Sequence, residues 1–277
     1  MVHYRHSYHA ANFADVFKHV LLVGLLGALN RKDKPWCFLD SHAGAGGYDL
    51  GGAGAVRTGE WHDGFGRLND SSDAPPLVAE YLRLVAAART QAHADYYPGS
   101  PQFARALARP GDRLVLCEKV PAVAAELKQA LRGDARAFIH VRDGYEAHAL
   151  LPLPEKRGLM LIDPPFERTD EFDAIAQLIA KSVPRFAGGI FAAWYPLKNK
   201  HLAARFVRQL ERETAKPVLN LEYDNGEPAE GQMHACGLAV VNPPFGFRAE
   251  ALSALHWLRP RLAQGPRATF TITGAED

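Results

Sequence analysis

The chain is short of several things at once. Among its 277 residues there are only three cysteines, Cys37, Cys117 and Cys236, far apart and in no C-x-x-C pair. That excludes a disulfide framework and a thiolate zinc site, and it suits free buried thiols in a reducing compartment. Neither sign of charge is in surplus: 32 Lys and Arg against 31 Asp and Glu leave a formal net charge of +1. A uniformly basic nucleic-acid coat is therefore excluded, although a local basic patch is not. The longest apolar run, Val20 to Leu29, falls short of the roughly 20 residues that a bilayer-spanning helix needs. The opening stretch has His residues and Arg5 but no cleavage pattern, so it does not read as a signal peptide. There is no Gly-x-Ser-x-Gly, no P-loop, no pair of ligand histidines on a helix, no internal repeat and no low-complexity tract. What remains is an ordinary soluble composition, 47% hydrophobic and 23% charged, long enough for one large domain or a domain with an insert. A cytoplasmic enzyme is the expectation.

The stretch around which the rest is organised is Leu159-Met160-Leu161-Ile162-Asp163-Pro164-Pro165-Phe166. Four apolar residues after Gly158 read as a central strand covered on both faces. Proline cannot donate to a ladder and pushes the residue before it into an extended or turn conformation. Asp163 is thus held at the carboxyl end of a strand, where open α/β sheets bind their ligands. An acceptor, a stiff turn with free carbonyls and a ring suit the gripping of a flat heterocycle that bears an amine.

Ahead of that stretch, Phe13, Val16, Phe17, Val20, Leu21 and Gly24 recur at helical spacing, predicting one amphipathic helix from Asn12 to Leu29. His3, His6 and His9 precede it at a spacing of three. No fourth ligand stands nearby to close a metal site, so a polar surface or substrate contact is expected there and no metal. Trp36 to Asp40 predicts a second buried strand, followed by Ser41-His42-Ala43-Gly44-Ala45-Gly46-Gly47. Glycines at such a junction allow positive φ and close approach of a ligand to the backbone. A helix would normally follow at once. Instead residues 48–97, rich in Gly, Asp and Pro and then helical over 77–90, predict an inserted, mainly helical small subdomain. The main domain is expected over 1–47 and 98–277. At Gly99-Ser100-Pro101 the delayed helix starts, with Ser100 expected as its N-cap and Pro101 in its first turn. Capping alone and capping with a cofactor contact both stay open for Ser100.

Strands are predicted at Arg113–Cys117, ending on Glu118, and at Ala137–Val141, ending at Asp143-Gly144. A carboxylate at the tip of the second strand is where Rossmann-like enzymes hold ribose hydroxyls. An acid at the tip of the next can accept an adenine amine. After Asp163 come a helix (171–182), a strand (189–194), a helix (197–211) and an antiparallel pair (218–222, 236–241). That pair runs into Asn242-Pro243-Pro244-Phe245, a second Pro-Pro-Phe. Asn-Pro-Pro-aromatic is itself a signature of amino methylation. Chain order favours Asp163, which follows the strand after that of Asp143, and makes Asn242 structural.

Glycine loop, Glu118, Asp143-Gly144 and Asp-Pro-Pro-Phe, each at a strand end, is the arrangement of class I S-adenosylmethionine methyltransferases, with an α/β Rossmann-like sheet. The resemblance is more definite still. Tyr4-Arg-His-Ser-Tyr-His9, Asn12-x-Ala-Asp-Val-x-Lys-His19, Leu39-Asp-x-His-Ala-Gly-Ala-Gly46, Arg57-Thr-Gly-Glu60, Tyr97-Pro-Gly-Ser-Pro101, Ile162-Asp-Pro-Pro-Phe166 and Trp194-Tyr-Pro196 together resemble the RlmJ family, bacterial 23S ribosomal RNA adenine-N6 methyltransferases. The resemblance implies cofactor contacts from His19, His42, Gly44, Ser100, Glu118, Asp143, Gly144 and Asp163. It also implies a catalytic role for Asp163 and contact of Tyr4 with RNA, and Lys18 and Arg5 would add phosphate-directed charge. Phe166 departs from the family, where tyrosine is usual; stacking survives that change and a role for the hydroxyl does not.

Chemically, the Asp163 carboxylate and the Pro164 carbonyl can accept the two N–H bonds of adenine N6, whose lone pair is otherwise delocalised into the ring. Phe166 can stack on the base for about 1–3 kcal/mol. The expected partner is large-subunit ribosomal RNA before full assembly, met by a monomer with no membrane and no metal. Two other readings stay open, an amino methyltransferase acting on DNA adenine or protein glutamine, and a non-catalytic RNA- or nucleotide-binding module. Radiolabelled cofactor offered with RNA and with DNA separates them.

Overall fold

The computed structural model describes residues 8–68, 71–227 and 233–276. The chain enters helix α1 (Phe13–Asn30) through an N-cap, Asn12, whose side chain accepts from the amides of Ala14 and Asp15 at 3.0 Å each. By length and mean hydropathy, 1.4, this helix could cross a membrane, yet 89% of it is buried inside the protein. Its apolar surface is used by the core on nearly every side, which is why its period reads so weakly as amphipathic. Strands β1 (Cys37–Asp40) and β2 (Gly47–Asp49), helices α2 (Ala53–Thr58) and α3 (Pro76–Gln91), strand β3 (Tyr96–Pro98) and helix α4 (Ser100–Leu107) follow. Then come β4 (Arg113–Glu118), α5 (Pro121–Ala130), β5 (Ala137–Val141), β6 (Gly158–Ile162), α6 (Glu171–Ser182), β7 (Gly189–Pro196) and α7 (Lys200–Thr214). The chain closes with β8 (Val218–Asp224), β9 (Ala235–Val241), α8 (Phe247–Arg261) and β10 (Thr269–Gly274).

Eight strands form one sheet in the order β10-β8-β9-β7-β6-β1-β4-β5. From β5 to β7 neighbours are parallel, and β9 runs antiparallel to both β7 and β8. This is the Rossmann-like sheet of class I methyltransferases that the sequence predicts. Side chains alternate between two cores as the pleat requires. Phe38, Leu114, Leu116, Leu159 and Leu161 point to the α1, α4, α5 and α8 layer. Leu39, Val115, Cys117, Met160 and Ile162 point to the α6 and α7 layer. Each such side chain contributes about 1.5–3 kcal/mol by leaving water.

Segment 48–97 leaves the sheet through β2 and returns through β3, which pair antiparallel from Gly47↔Pro98 to Asp49↔Tyr96. Its Val78, Tyr81 and Val85 are fully buried in the same core as α1 and α8. Gly24 of α1 makes the room: a Cβ there would lie 3.0 Å from Phe247 and 3.1 Å from Leu77. Helix α8 and strand β10, absent from the elements predicted from the sequence, complete the fold.

Candidate active site

Asp40 ends β1 and is completely buried. One of its oxygens accepts from the Ser100 hydroxyl at 2.7 Å and the other from the His42 amide at 3.1 Å. Burial pushes its pKa up to about 7, against the pull of those two hydrogen bonds. Asp40 therefore ties the glycine loop to the start of α4. This corrects the expectation for Ser100: the helix is capped from Gly99, Pro101 does sit in the first turn, and the Ser100 hydroxyl turns to Asp40 instead. A buried acceptor left without a donor would cost about 1–3 kcal/mol, so the hydroxyl turns to Asp40 in place of the helix amides. Gly44 and Gly46 both lie at positive φ, 62° and 85°.

At the next strand end Glu118 accepts from the Gly44 amide at 3.1 Å and from the Val120 amide at 2.8 Å. Asp143, past the end of β5, caps the short helix Gly144–Leu150 by accepting from the Tyr145 amide at 3.1 Å. Its other oxygen takes the exposed Lys119 ammonium at 2.7 Å. Gly144 is required by proximity: a Cβ would fall 2.1 Å from the Ser41 carbonyl oxygen and 2.6 Å from the His42 ring. The His42 ring meets Tyr145 edge-on at 5.1 Å. Burial pushes the His42 pKa down to about 4, so the imidazole is neutral at neutral pH. His42, Gly44, Glu118, Asp143 and Gly144 thus converge from three neighbouring strands, as the sequence predicts.

Asp163 follows β6 directly. Its Oδ2 accepts from the Lys18 ammonium at 2.6 Å, and Lys18 also donates to Asp15 Oδ1 at 2.8 Å. The lysine side chain is 5% exposed, with Asp15 at 4% and Asp163 at 18%. Burial alone would pull the Lys18 pKa down, but the two carboxylates overcome it and hold the pKa well above the ordinary value. The ammonium therefore stays charged and fixes the Asp163 carboxylate through Oδ2. Phe166 adopts a positive φ of 50°, which aims its ring edge-on at Phe172 (5.5 Å) and at Trp194 (5.9 Å). Trp194 reaches it because β7 is the next strand, with Ile162 in register with Ala193. A fixed carboxylate with an aromatic ring on the same turn supplies the acceptor and the stacking face that a planar, amine-bearing base needs.

His19 sits one residue along α1, 1% exposed, with Nδ1 2.9 Å from the Tyr97 hydroxyl and its ring 5.0 Å from that of Phe103. It joins α1 to the β3–α4 junction that carries Ser100. Tyr4, with His3, Arg5 and His6, lies outside the described residues. Among the described residues, no group of three His, Cys, Asp or Glu is placed to hold a metal ion. Asn242 is elsewhere: β9 is antiparallel to β7, with Val241 opposite Phe191. It therefore lies at the other edge of the sheet from Asp163, donating to the Gly189 carbonyl at 2.8 Å.

Sequence reasoning passed over three contributors. Asp15 was visible as an acid three residues before Lys18 on an apolar helix, a spacing that pairs side chains. Asp40 was visible as the acid before the glycine loop. The contact of Trp194 with Phe166 left no local signal.

The family model described as Ribosomal RNA large subunit methyltransferase D, RlmJ, matches residues 33–272. Ribosomal RNA large subunit methyltransferase J of Escherichia coli (strain K12) is 37% identical over 275 residues, covering 99% of this chain and 98% of that protein. The Haemophilus influenzae (strain ATCC 51907 / DSM 11121 / KW20 / Rd) protein of the same name is 34% identical, covering 98% of each. The crystal structure of protein LPL1258 from Legionella pneumophila str. Philadelphia 1 superposes with a TM-score of 0.88 at 33% identity, covering 97% of this chain and 99% of that one. By the family match over residues 33–272 and the near full-length identity to these relatives, the chain belongs to the RlmJ family of ribosomal RNA large subunit methyltransferases.

Proposed function

We propose that the protein transfers the methyl group of S-adenosylmethionine to the N6 amine of an adenosine in large-subunit ribosomal RNA. The relatives' names support the substrate class, and the site supports the chemistry. The observation that carries the reading is the fixed carboxylate of Asp163 at the end of β6, held through Oδ2 by the buried Lys18, with the Phe166 ring of the same turn packed edge-on against Trp194.

The residues present fit the cofactor. Glu118 has lone pairs beyond the two amides it accepts, enough for ribose hydroxyls. Asp143 needs only to exchange the exposed Lys119, a surface pair worth about 0–1 kcal/mol, for an adenine amine. Gly144, with no Cβ to push away the Ser41 carbonyl and the His42 ring, lets the glycine loop pack against the turn that carries Asp143. When bound, S-adenosylmethionine supplies an electrophilic methyl group. The chain does the rest. Asp163 Oδ1 and the Pro164 carbonyl accept the two N6 hydrogens, which favours a pyramidal nitrogen with its lone pair free. Lys18 keeps the carboxylate from turning away, and Phe166 stacks on the base. The proton released from N6 passes to Asp163 or to water. A base within a helix must first be extruded, at a cost of a few kcal/mol.

On this reading His19 supports the cofactor site through Tyr97, Tyr4 serves the RNA side, and segment 48–97 is an inserted subdomain on a methyltransferase domain. Lys18, buried between Asp15 and Asp163, holds the catalytic carboxylate and is not the phosphate contact expected of it. A protein acting on ribosomal RNA works in the cytoplasm. The test is incorporation of labelled methyl into ribosomal RNA, DNA and protein offered separately, with the modified nucleotide mapped. Label in DNA adenine or in glutamine, and none in ribosomal RNA, would overturn the reading.

A further inference from the structure

The inserted segment grips the few residues that lead into α1. Glu60 opens a short helical turn, Glu60–Asp63. Its Oε1 lies 2.9 Å from His9 Nδ1, and its Oε2 accepts from the Asn12 side-chain amide at 3.0 Å. Nearby, the Thr58 hydroxyl donates to the Tyr8 carbonyl, and the Phe65 amide donates to the Ala11 carbonyl at 2.9 Å. Gly64 permits the approach: a Cβ there would lie 2.1 Å from the Ala11 carbonyl oxygen and 2.5 Å from the Asn12 carbonyl carbon.

What is gripped leads straight to the site. Ala11 is bent to a positive φ of 63°, an uncommon conformation for a residue with a Cβ. The Ala11 amide donates to Asp15 Oδ2 at 2.9 Å. The other oxygen of Asp15 holds Lys18, and Lys18 holds Asp163. Asn12 faces both ways, its amide nitrogen to Glu60 and its oxygen capping α1. Residues 1–7 are continuous with the gripped stretch at Tyr8.

We propose that Glu60 is a positioning residue for methyl transfer: by holding His9 and Asn12 it fixes the entry of the chain into α1 and how Lys18 meets Asp163. The proposal rests on the reading of the site as an RNA methyltransferase. Glu60 touches neither substrate nor cofactor, and it acts through Asn12, Asp15 and Lys18. A plain structural staple would also hold the insert to α1, but it would be felt as lost stability and not in turnover.

The test uses the full chain and three variants. Glu60→Ala removes both contacts. Glu60→Gln keeps an acceptor for Asn12 and a donor for His9. Asn12→Asp keeps an equally good N-cap but sets a like charge against Glu60, so it separates capping from gripping. Glu60→Ala and Asn12→Asp should lower kcat on ribosomal RNA by about ten- to a hundredfold, the scale of a misplacement of about 1 Å at a reacting centre. The cofactor dissociation constant should stay within about twofold, well under the roughly 1.4 kcal/mol of a tenfold change. Glu60→Gln should restore most of the rate. A second readout needs no activity: amide exchange across residues 8–15 should speed by at least about tenfold in Glu60→Ala, while the later turns of α1 keep their protection. Wild-type kcat in Glu60→Ala, or kcat and cofactor affinity falling together with stability, would overturn the proposal. Unchanged exchange over 8–15 would overturn it as well. Wild-type protein that methylates no RNA would instead sink the functional reading, and the exchange arm would still decide the grip.

Discussion

Replacing Lys18 by Met keeps most of the side-chain volume and removes the ammonium that joins Asp15 to Asp163. Both contacts are short, 2.8 and 2.6 Å, and the lysine is 5% exposed. Exposed pairs contribute about 0–1 kcal/mol, but removing one partner of a buried pair costs about 3–5 kcal/mol because an uncompensated charge stays behind. Asp15, at 4% exposure, keeps that cost in full, whereas water can reach Asp163 at 18%. We expect a loss of about 3 kcal/mol at pH 8, a large part of a typical total of about 5–15 kcal/mol. The sign with pH follows from linkage. A carboxyl orphaned by the substitution has its folded pKa raised, so its contribution is present below the unfolded pKa and lost as pH rises through the raised one. The deficit should therefore shrink from pH 8 to pH 5. Lys18→Met with Asp15→Asn should recover most of the stability, giving a strong coupling in a double-mutant cycle. The assay is urea unfolding by circular dichroism at four pH values, without cofactor. A loss under about 1 kcal/mol, or one that is the same at pH 5 and pH 8, would refute a charged lysine held between two buried carboxylates.

Other expectations follow from the same geometry. Asp163→Ala should leave cofactor affinity within a few-fold and cut turnover by at least about a hundredfold, while Asn242→Ala, at the far edge of the sheet, should cost only stability; the reverse pattern in a folded protein would show that the wrong Pro-Pro-Phe was chosen. Glu118→Gln keeps the shape and removes the charge, so the cofactor dissociation constant should rise about tenfold by calorimetry, and an unchanged constant would place Glu118 off the ribose. Gly144→Ala forces the Ser41 carbonyl and the His42 ring away from the turn; at least a tenfold loss of cofactor affinity is expected, about 1.4 kcal/mol, and wild-type affinity would show that this contact is not part of the pocket. Asp40, raised to about 7, contributes stability below the unfolded value of 3.8 that is lost as pH rises through about 7. His42, lowered from 6.5 to about 4, has the opposite slope and completes its change below 6.5. Thermal melts between pH 6.5 and 8 should thus show Asp40→Asn gaining on wild type as pH rises, and parallel curves would remove the buried carboxylate from the account.

The order of motifs, each acid at the end of an apolar run, was legible along the chain. A strand that stops on a carboxylate or at Pro-Pro is local chemistry, and parallel strands with right-handed crossovers bring such ends to one edge. Thus Glu118, Asp143 and Asp163 could be placed together before any fold was in hand. The start of α1 at Asn12 was equally local, and the structure makes that residue its cap. Helix α8 and strand β10 went unassigned although their periods are present: Phe270 and Ile272 alternate with threonines in the outer strand β10, and Phe247, Ala251, Ala254, Leu255 and Leu258 recur at helical spacing in α8, where Pro260 interrupts the last turn. Nor could the two Pro-Pro-Phe turns be separated except by counting strands. What separates them physically is the reversal of β9, which sends Asn242 to the opposite edge. Only the tertiary structure decided the contacts that tune the site: Ser100 against Asp40 across 60 positions, Lys18 against Asp163 across 145, and Glu60 against Asn12 across 48. Each is a polar group with a good local alternative, a cap, a solvated helix face or a turn. Which alternative wins depends on a partner that burial supplies, and burial is a property of the packed whole.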